Sequence, residues 1–229
     1  MKSFLLIGQS NMAGRGHFGE VPEIKNNKCY MLRMGRWQPM REPINPDRGI
    51  FDANHSGVGP SASFADEYAK YFNEEIGLIP CADGGTKLEQ WMPGEILFDH
   101  AVMQTKLALR TSELAGILWH QGETDSIFKS DAETYKDRFT EMITALIKEI
   151  GVQAPVIIGG LGDFVKDYNA HIYADDVTEA LRTAAKEQGF GFVSTEGLPC
   201  QSDGIHFTPA SYRELGKRYF EEYKNVVKK

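Results

Sequence analysis

The chain has 229 residues, and its 25 Lys and Arg against 32 Asp and Glu give a formal net charge of −7. Hydrophobic residues make up 41%, and the 23 glycines, 10 prolines and 3 cysteines show no repeating pattern, which excludes low-complexity disorder, collagen-like chains and disulfide scaffolds. No basic cluster indicates nucleic-acid binding, and no apolar run approaches the ~20 residues of a membrane span. We therefore expect neither a nucleic-acid nor a membrane partner, and a single domain over 1–229.

Short apolar runs alternate with helical patterns along the chain. Five runs are typical of buried strands, at 3–7, 76–81, 114–119, 155–160 and 191–194. Apolar periodicity and start signals predict helices over 61–75, 97–110, 130–150, 174–188 and 209–227. Thr208 and Pro209 are typical of a helix start, and Ser130 with Glu133 has the spacing of a capping box. The irregular segment 14–60 resembles a functional loop, with a small hairpin predicted at 31–37.

The alternation indicates the fold class. Apolar strands separated by helices predict an α/β protein, a flavodoxin-like three-layer α/β/α sandwich around about five parallel strands. Ligands in such folds bind at the carboxyl ends of the strands. The segments that follow the strands, 8–14, 82–85 and 120–125, carry polar residues, as does 203–207 before the last helix. The sequence therefore predicts a polar cleft at this edge.

Ser10 is the first candidate for chemistry, because it follows a strand directly. A serine hydroxyl becomes a useful nucleophile only when a base accepts its proton. A helix cap is the alternative role, which serine favours strongly. The chain contains no Gly-x-Ser-x-Gly elbow, which argues against the α/β-hydrolase class proper.

Asp203 and His206 are three residues apart in a predicted turn. This spacing lets the carboxylate face the imidazole Nδ1 and fix the tautomer, leaving Nε2 free to act as a general base. A plain surface turn is the alternative.

Candidate oxyanion donors form a third group. The Gln121 side-chain amide could supply one hydrogen bond, and the backbone N–H groups of Ser10 and Gly59 two more, with Gly57 as the alternative glycine. Pro60 has no N–H. An ordinary turn before the next helix would use the same glycines. If Gln121 donates to the oxyanion, its replacement by alanine should lower kcat by about 10²- to 10³-fold.

Four sequence blocks, taken together, resemble a known family. They are Gly-Gln-Ser-Asn-Met at 8–12, Gly-Pro and Phe-Ala at 59–60 and 64–65, Trp-His-Gln-Gly-Glu at 119–123, and Asp-x-x-His-Phe at 203–207. The chain resembles the SGNH (GDSL-like) hydrolase superfamily, and within it the carbohydrate esterase family 6 and sialate O-acetylesterase group. Gln121 stands where the superfamily usually has Asn, and Gly-Gln-Ser replaces Gly-Asp-Ser, as is characteristic of this group.

The resemblance implies serine-dependent removal of acetyl groups from acetylated sugars, without a metal or organic cofactor. It implies Ser10 as nucleophile, His206 as base and Asp203 as its orienting acid. Acetylxylan, xylo-oligosaccharides and O-acetyl sialic acid are all consistent with it.

Site roles beyond these three residues also follow from the resemblance. It implies an oxyanion hole made of Ser10, Gly59 and Gln121. Gln9, Asn11 and Glu123 are candidates for substrate binding or support, and for Glu123 a structural role after the strand is favoured.

The sequence also carries expectations about the substrate and the cellular location. Arg15 and Arg48 could meet a substrate carboxylate, or lie in surface ion pairs. The N-terminal apolar run is short and polar residues follow it, so we expect a cytoplasmic protein that acts on short imported oligosaccharides rather than on polymeric xylan.

Two alternative functions remain open at this point. One is a metal-dependent hydrolase, because five residues offer ligand types for Zn²⁺ or Mn²⁺, although their spacing matches no strong motif: His120, Glu123, Asp125, Asp203 and His206. The other is a non-catalytic carbohydrate-binding protein on the same fold.

Overall fold

The computed structural model describes residues 1–47 and 55–228, through which one seven-stranded sheet runs. Its strands are β1 (Lys2–Gly8), β2 (Cys29–Arg33), β3 (Arg36–Pro39), β4 (Ile76–Pro80), β5 (Glu113–His120), β6 (Val156–Gly159) and β7 (Gly191–Val193). The strand order is β3-β2-β4-β1-β5-β6-β7. Only β3 is antiparallel to its neighbour, so the sheet is mostly parallel, as the buried apolar runs predicted.

Within the described residues, six α-helices connect or follow the strands. They are α1 (Ser10–Ala13), α2 (Pro60–Phe72), α3 (Ile96–Ala108), α4 (Lys129–Ile150), α5 (Ala174–Gln188) and α6 (Pro209–Val227). Three short 3₁₀ helices, Leu88–Trp91, Thr124–Ser126 and Val165–Asp167, lie in the loops after β4, β5 and β6. No helix in the described part of the chain is long and apolar enough to cross a membrane.

Two hydrophobic cores cover the two faces of the sheet and complete the three predicted layers. Along β1, Phe4 and Leu6 point into the core beneath α2 and α6. Leu5 and Ile7 point into the opposite core, beneath α3, α4 and α5. Because neighbouring residues of a strand face opposite sides, both must be apolar, which explains the continuous apolar run. The predicted α/β/α class is confirmed.

The sheet is larger than the five strands predicted. The 31–37 hairpin forms, but its strands extend to Cys29–Arg33 and Arg36–Pro39, and β2 pairs in parallel with β4. The hairpin therefore adds two strands to the sheet edge. A parallel pairing of this kind depends on distant residues, so the local pattern could not predict it.

The predicted cap of α4 is wrong. Helix α4 begins at Lys129, with Phe128 in the extended cap position. Ser130 therefore lies inside the first turn, where its side chain cannot cap the helix start. The cap predicted for α6 forms, because the Thr208 hydroxyl accepts the N–H of Ser211 at 3.1 Å.

The central position of β1 determines where the polar residues meet. β1 lies between β4 and β5, with Leu6 beside Pro80 and Gly8 beside His120. Gly8 has a φ of +129°, and a Cβ there would lie 2.1 Å from the His120 carbonyl oxygen. Only glycine lets the two strands end this close together. The segments after β1, β4 and β5 consequently share one edge of the sheet.

Candidate active site

Ser10 lies at the carboxyl end of β1, in a turn held by backbone hydrogen bonds. The N–H of Gln9 donates to the His120 carbonyl at 2.9 Å, and the N–H of Gly14 donates to the Ser10 carbonyl at 2.8 Å. Helix α1 has only four residues and begins at Ser10. The Ser10 hydroxyl is therefore held at the sheet edge by both neighbouring strands and its own short helix.

A continuous hydrogen-bond chain joins Ser10, His206 and Asp203. Ser10 Oγ lies 2.9 Å from His206 Nε2, and His206 Nδ1 lies 2.8 Å from Asp203 Oδ2. The other carboxylate oxygen of Asp203 accepts the N–H groups of Ile205 and His206 at 3.1 and 3.0 Å. The structure thus brings together the three residues predicted from distant parts of the chain.

The electrostatics of this chain suit a neutral imidazole. Burial lowers the pKa of His206 below its usual value, although Asp203 opposes the shift. Partial burial would raise the pKa of Asp203, but the N–H and ring of His206, together with the Ile205 N–H, lower it overall. At neutral pH the pair is therefore a carboxylate and an uncharged ring, which can accept a hydroxyl proton.

Asn11 connects the Ser10 turn to the loop that carries His206. Asn11 Nδ2 donates to the Ile205 carbonyl at 3.1 Å, and Oδ1 accepts the Phe207 N–H at 3.4 Å and the Tyr212 hydroxyl at 2.7 Å. Nδ2 also donates to Glu123 Oε1 at 2.5 Å. We call Asn11, Glu123, Tyr212 and the backbone of 205–207 the Asn11 cluster. It binds the backbone on both sides of His206.

Glu123 is the buried end of the Asn11 cluster. Burial raises the pKa of Glu123 to about 7, against the opposing hydrogen bond from Asn11. Its Oε2 atom is buried and finds no hydrogen-bond partner within residues 1–47 and 55–228. Because Asn11 must donate to one backbone group and accept from another, its amide orientation is fixed, and Oε1 of Glu123 must act as the acceptor. A proton on Glu123 therefore belongs on Oε2.

Gln121 is fully buried, and its side chain is fully used inside the protein. Nε2 donates to the Thr86 carbonyl at 2.9 Å and to Asp125 Oδ2 at 2.7 Å, while Oε1 accepts the Tyr135 hydroxyl at 2.6 Å. We call these four residues the Gln121 cluster. An amide nitrogen has only two hydrogens. The structure therefore contradicts the expectation that this amide donates to an oxyanion.

The glycines before α2 are also occupied. The N–H of Gly59 donates to Glu42 Oε1 at 3.3 Å, and the N–H of Gly57 donates to the Gly14 carbonyl at 3.0 Å. Neither N–H is available to an oxyanion in this arrangement, so the assignment of Gly59, and of Gly57 as its alternative, is not supported. The two glycines instead allow close backbone contact, since a Cβ on Gly59 would lie 3.0 Å from Gly14 Cα.

Gly84, in the loop after β4, is the glycine that lies beside Ser10. A Cβ built on Gly84 would lie 3.6 Å from Ser10 Cβ and 2.4 Å from the Arg15 guanidinium. Any side chain at 84 would therefore enter the space between these two residues. The polar segment 82–85 predicts no particular role for Gly84, although a pair of glycines so soon after a buried strand is a signal that could have found it.

The remaining predicted residues have structural contacts. Gln9 is buried, and its Oε1 accepts the Gly122 N–H at 3.4 Å, which links the ends of β1 and β5. Arg15 donates to the Gly14 carbonyl at 2.9 Å and lowers the pKa of His206 further. Arg48 lies outside the described residues.

The five residues of the metal alternative separate into different clusters. His120 Nδ1 lies 3.1 Å from the Tyr219 hydroxyl, Asp125 pairs with Arg138 at 3.2 Å, and Glu123 binds Asn11. Across 1–47 and 55–228, no three His, Cys, Asp or Glu side chains are grouped so that they could hold a metal ion. The arrangement does not support the metal alternative.

Comparisons with known proteins agree with this arrangement of the fold. The family described as carbohydrate esterase, sialic acid-specific acetylesterase matches residues 1–225. A probable carbohydrate esterase of Arabidopsis thaliana is 31% identical over 241 residues, covering 96% of this chain and 89% of that protein.

Solved structures show the same fold. An X-ray structure of an Arabidopsis thaliana protein superposes with a TM-score of 0.85 at 28% identity, covering 98% of both chains. The crystal structure of NanS superposes with a TM-score of 0.78 at 16% identity, covering 99% of this chain and 97% of that one. With a family match over nearly the whole chain, this protein belongs to the carbohydrate esterase, sialic acid-specific acetylesterase family and is an esterase.

Proposed function

We propose that this esterase removes acetyl groups from sugars by nucleophilic attack of Ser10, with His206 as the base and Asp203 as its orienting acid. The single observation that carries the proposal is the unbroken chain from Ser10 Oγ to His206 Nε2 at 2.9 Å and from His206 Nδ1 to Asp203 Oδ2 at 2.8 Å. A nucleophile, a base and an orienting carboxylate in this order form the working unit of serine esterases.

The proposed reaction has two halves. In the first, Ser10 Oγ attacks the acetyl carbonyl while its proton moves to His206 Nε2. The tetrahedral intermediate then collapses, the bond to the sugar oxygen breaks, and that oxygen takes the proton from His206. In the second half, water attacks the acetyl-Ser10 ester, gives its proton to His206, and acetate leaves as Ser10 regains a proton. Asp203 holds the ring orientation and stabilises the imidazolium throughout.

The tetrahedral oxyanion needs hydrogen-bond donors beside Ser10. We propose the Ser10 N–H, at the start of α1, as one of these donors. Gly84 lies beside Ser10, so the loop after β4 borders the position of the oxyanion in this proposal. The Gln121 cluster contributes indirectly, because Gln121 Nε2 holds the Thr86 carbonyl two residues after Gly84.

The Asn11 cluster supports the base in this proposal. Asn11 holds the backbone of Ile205 and Phe207, and Glu123 accepts the remaining Asn11 hydrogen. Both residues act through His206 as positioning residues, which agrees with the supporting role expected for them.

An acetylated sugar as substrate is supported by the family and by one structural neighbour. The crystal structure of a carbohydrate acetylesterase from Xanthomonas citri superposes with a TM-score of 0.71 at 18% identity, over 99% of this chain and 56% of that one. A cavity of about 330 Å³ opens beside His206 and Asp203, with Arg15, His17 and Gln201 on its walls. Its polar walls suit sugar hydroxyls better than a long acyl chain.

Acetate release from a panel of substrates tests the proposal. The panel holds an aryl acetate, acetylated xylo-oligosaccharides, O-acetyl sialic acid and insoluble acetylxylan. Wild type should release acetate, and Ser10→Ala should lose at least about 10³-fold in kcat with an unchanged circular dichroism spectrum. Activity that survives Ser10→Ala but vanishes with a chelator would overturn the serine proposal. Sugar binding without any acetate release would support the non-catalytic alternative.

Two narrower predictions belong to the same panel. Activity on acetylated oligosaccharides above that on insoluble polymer would support the expected preference for short substrates. Cytoplasmic location also stays a prediction, which fractionation of the source cells tests.

A further inference from the structure

An exposed aromatic ring lies at the boundary between two cavities. Phe18 is 59% exposed. It lines the cavity that contains His206 and Asp203, and it also lines a neighbouring cavity of about 410 Å³. Phe18 is therefore the residue that the two cavities share, between the cavity beside His206 and the second cavity.

The segment that carries Phe18 is held firmly to the protein. Gly16 and Val58 form a two-way antiparallel bridge, with N–H to carbonyl distances of 3.0 and 2.8 Å. Val58 itself is buried and lies on the wall of the second cavity. A ring on such an anchored segment can present its face to a ligand without a large ordering cost.

The second cavity has a rigid polar wall. Arg213 and Glu42 form a bidentate ion pair, with Nη1 to Oε1 at 2.7 Å and Nη2 to Oε2 at 2.5 Å, and both side chains are largely buried. Glu42 also accepts the Gly59 N–H at 3.3 Å. The pair joins α6 to the loop before α2, so its exposed edges keep a fixed position. Fixed charged groups bind sugar hydroxyls well, because hydroxyls both donate and accept.

A third cavity adjoins the second. It has a volume of about 860 Å³ and shares Glu23 and Arg41 with the second cavity, and Asn26 and Asn27 also line it. Shared lining residues thus connect the three cavities in series, as a groove that begins at His206. We call this groove, from His206 past Phe18 to Asn27, the Phe18 groove.

The charge of the second cavity favours an uncharged ligand. The second cavity is lined by two carboxylates, Glu23 and Glu42, and two guanidinium groups, Arg41 and Arg213. These charges balance, so this part of the groove offers no net attraction to an acidic or a basic chain. A ligand with an apolar face for Phe18 and hydroxyls for the balanced charges meets both requirements, and a neutral pyranose ring has both features.

We propose that the Phe18 groove binds the further rings of a neutral acetylated oligosaccharide, with Phe18 as the platform for the ring next to the reacting sugar. The inference rests on the proposed esterase function of Ser10 and extends it to the substrate class. A ring stacked on Phe18 and hydrogen bonded in the second cavity raises the affinity for longer chains. It adds nothing for a monosaccharide or an aryl acetate, which fill only the first cavity.

A chain-length series tests the proposal. The value of kcat/KM for acetate release is measured on acetylated xylose and on acetylated xylo-oligosaccharides up to the hexasaccharide, with an aryl acetate as reference. We expect kcat/KM to rise about tenfold or more from the monosaccharide to the trisaccharide. Phe18→Ala should remove most of this rise, so that kcat/KM falls far more on the trisaccharide than on the aryl acetate. Arg41→Ala, farther along the groove, should lower kcat/KM only for the longer members.

Tyr71→Ala provides a matched control, since Tyr71 is 54% exposed on α2, near the Lys224 end of α6. This variant should keep the full dependence on chain length. Three results would each overturn the proposal: a wild-type kcat/KM that does not change with chain length, an equal loss of kcat/KM on all substrates in Phe18→Ala, or a clear preference for O-acetyl sialic acid. Aryl acetate hydrolysis that persists in Ser10→Ala would instead overturn the serine mechanism, so the two failures are distinguishable.

Discussion

The Asn11 cluster and the Gln121 cluster are two buried polar networks at the same edge of the sheet, and they anchor different parts of the protein. Asn11 binds the backbone on both sides of His206. Gln121 binds the loop after β4, the 3₁₀ helix after β5 and Tyr135 of α4. The first network ends at the proposed catalytic base, whereas the second joins three structural elements beneath the site.

This difference shows that a residue in a motif block is not necessarily a residue that touches substrate. Gln121 and Glu123 are two positions apart, yet Gln121 faces the core side with Asp125 and Tyr135, and Glu123 faces Asn11. Residues two positions apart in a strand would share a face. Here the chain leaves β5 at His120, and Gly122 has a φ of +143°, so that alternation no longer holds. Breaking the Asn11 cluster should therefore lower kcat, whereas breaking the Gln121 cluster should lower the stability of the fold.

The largest effect is expected where the hydrogen-bond chain itself is cut. Asp203→Asn should lower kcat by up to about 10⁴-fold, because an amide favours the wrong imidazole tautomer and no longer stabilises the imidazolium. Steady-state kinetics on an aryl acetate measure it. Asp137→Asn, the same change at a side chain 86% exposed on α4, should leave kcat unchanged. A loss below tenfold in Asp203→Asn would mean that Asp203 does not orient His206.

Paired alanine variants test the comparison directly. Asn11→Ala should lower kcat by about 10²-fold with little change in KM, because the backbone beside His206 loses its anchor and a small displacement of a base is costly. Gln121→Ala should lower kcat by less than about tenfold, while the loss of its buried hydrogen bonds lowers the free energy of unfolding by about 2–4 kcal/mol.

Kinetics and urea denaturation of both variants separate these outcomes. If Gln121→Ala instead reproduces the 10²- to 10³-fold loss in kcat typical of a missing oxyanion donor, with normal stability, the contrast between the two clusters is wrong.

Glu123, in the Asn11 cluster, should make the free energy of unfolding depend on pH. Its pKa is raised by burial from 4.5 to about 7, so between these values the folded chain holds a proton that the unfolded chain has lost. Stability should therefore fall as the pH rises through this window, by about 3 kcal/mol in total. Asp125 and the hydroxyls of Tyr135, Tyr212 and Tyr219 are the titratable groups that interact with this carboxyl.

Glu123→Gln keeps the acceptor for Asn11 and removes the titration. Urea denaturation at about pH 5 and about pH 8 should show the variant gaining stability over wild type as the pH rises. Glu141→Gln, at an exposed position on α4, should show no such gain. The same change in the free energy of unfolding with pH in wild type and in Glu123→Gln would contradict the burial of an ionisable Glu123.

The smallest expected effect is a shift in the pH profile of kcat/KM. Burial lowers the pKa of His206 below 6.5, so the acid limb should lie below that pH, because only the neutral ring accepts the Ser10 proton. Asp203→Asn should move the limb to still lower pH, since Asp203 holds the pKa of His206 up. A limb above pH 6.5 in wild type, or an unmoved limb in the variant, would contradict this assignment.

Local patterns predicted most of the elements, with the cap of α4 as an exception. The apolar strands follow from burial on both faces of the sheet, and the start of α6 follows from Thr208 and Pro209. The meeting of Asp203 with His206 follows from a spacing of three residues in a turn. In each case the physical cause lies within a few neighbouring residues.

The parts that depend on distant partners were not predicted. The N–H of Gly59 is taken by Glu42, 17 residues away, and the Gln121 amide by Thr86, 35 residues away, as well as by the nearby Asp125. The position of Gly84 beside Ser10 depends on the strand order, which places β4 next to β1. Sequence blocks identified the family, while the fold decides which members of each block face the cleft.

Detection of an acetyl group on Ser10 tests the proposed serine mechanism most directly. Wild-type enzyme is mixed with an aryl acetate, quenched with acid during the burst, digested, and the peptide that contains Ser10 is analysed by mass spectrometry. The account predicts an acetyl group on Ser10 that accumulates before steady state and is absent from Ser10→Ala. Acetate release at the full rate with Ser10 never modified, or with the acetyl group on another residue, would contradict it.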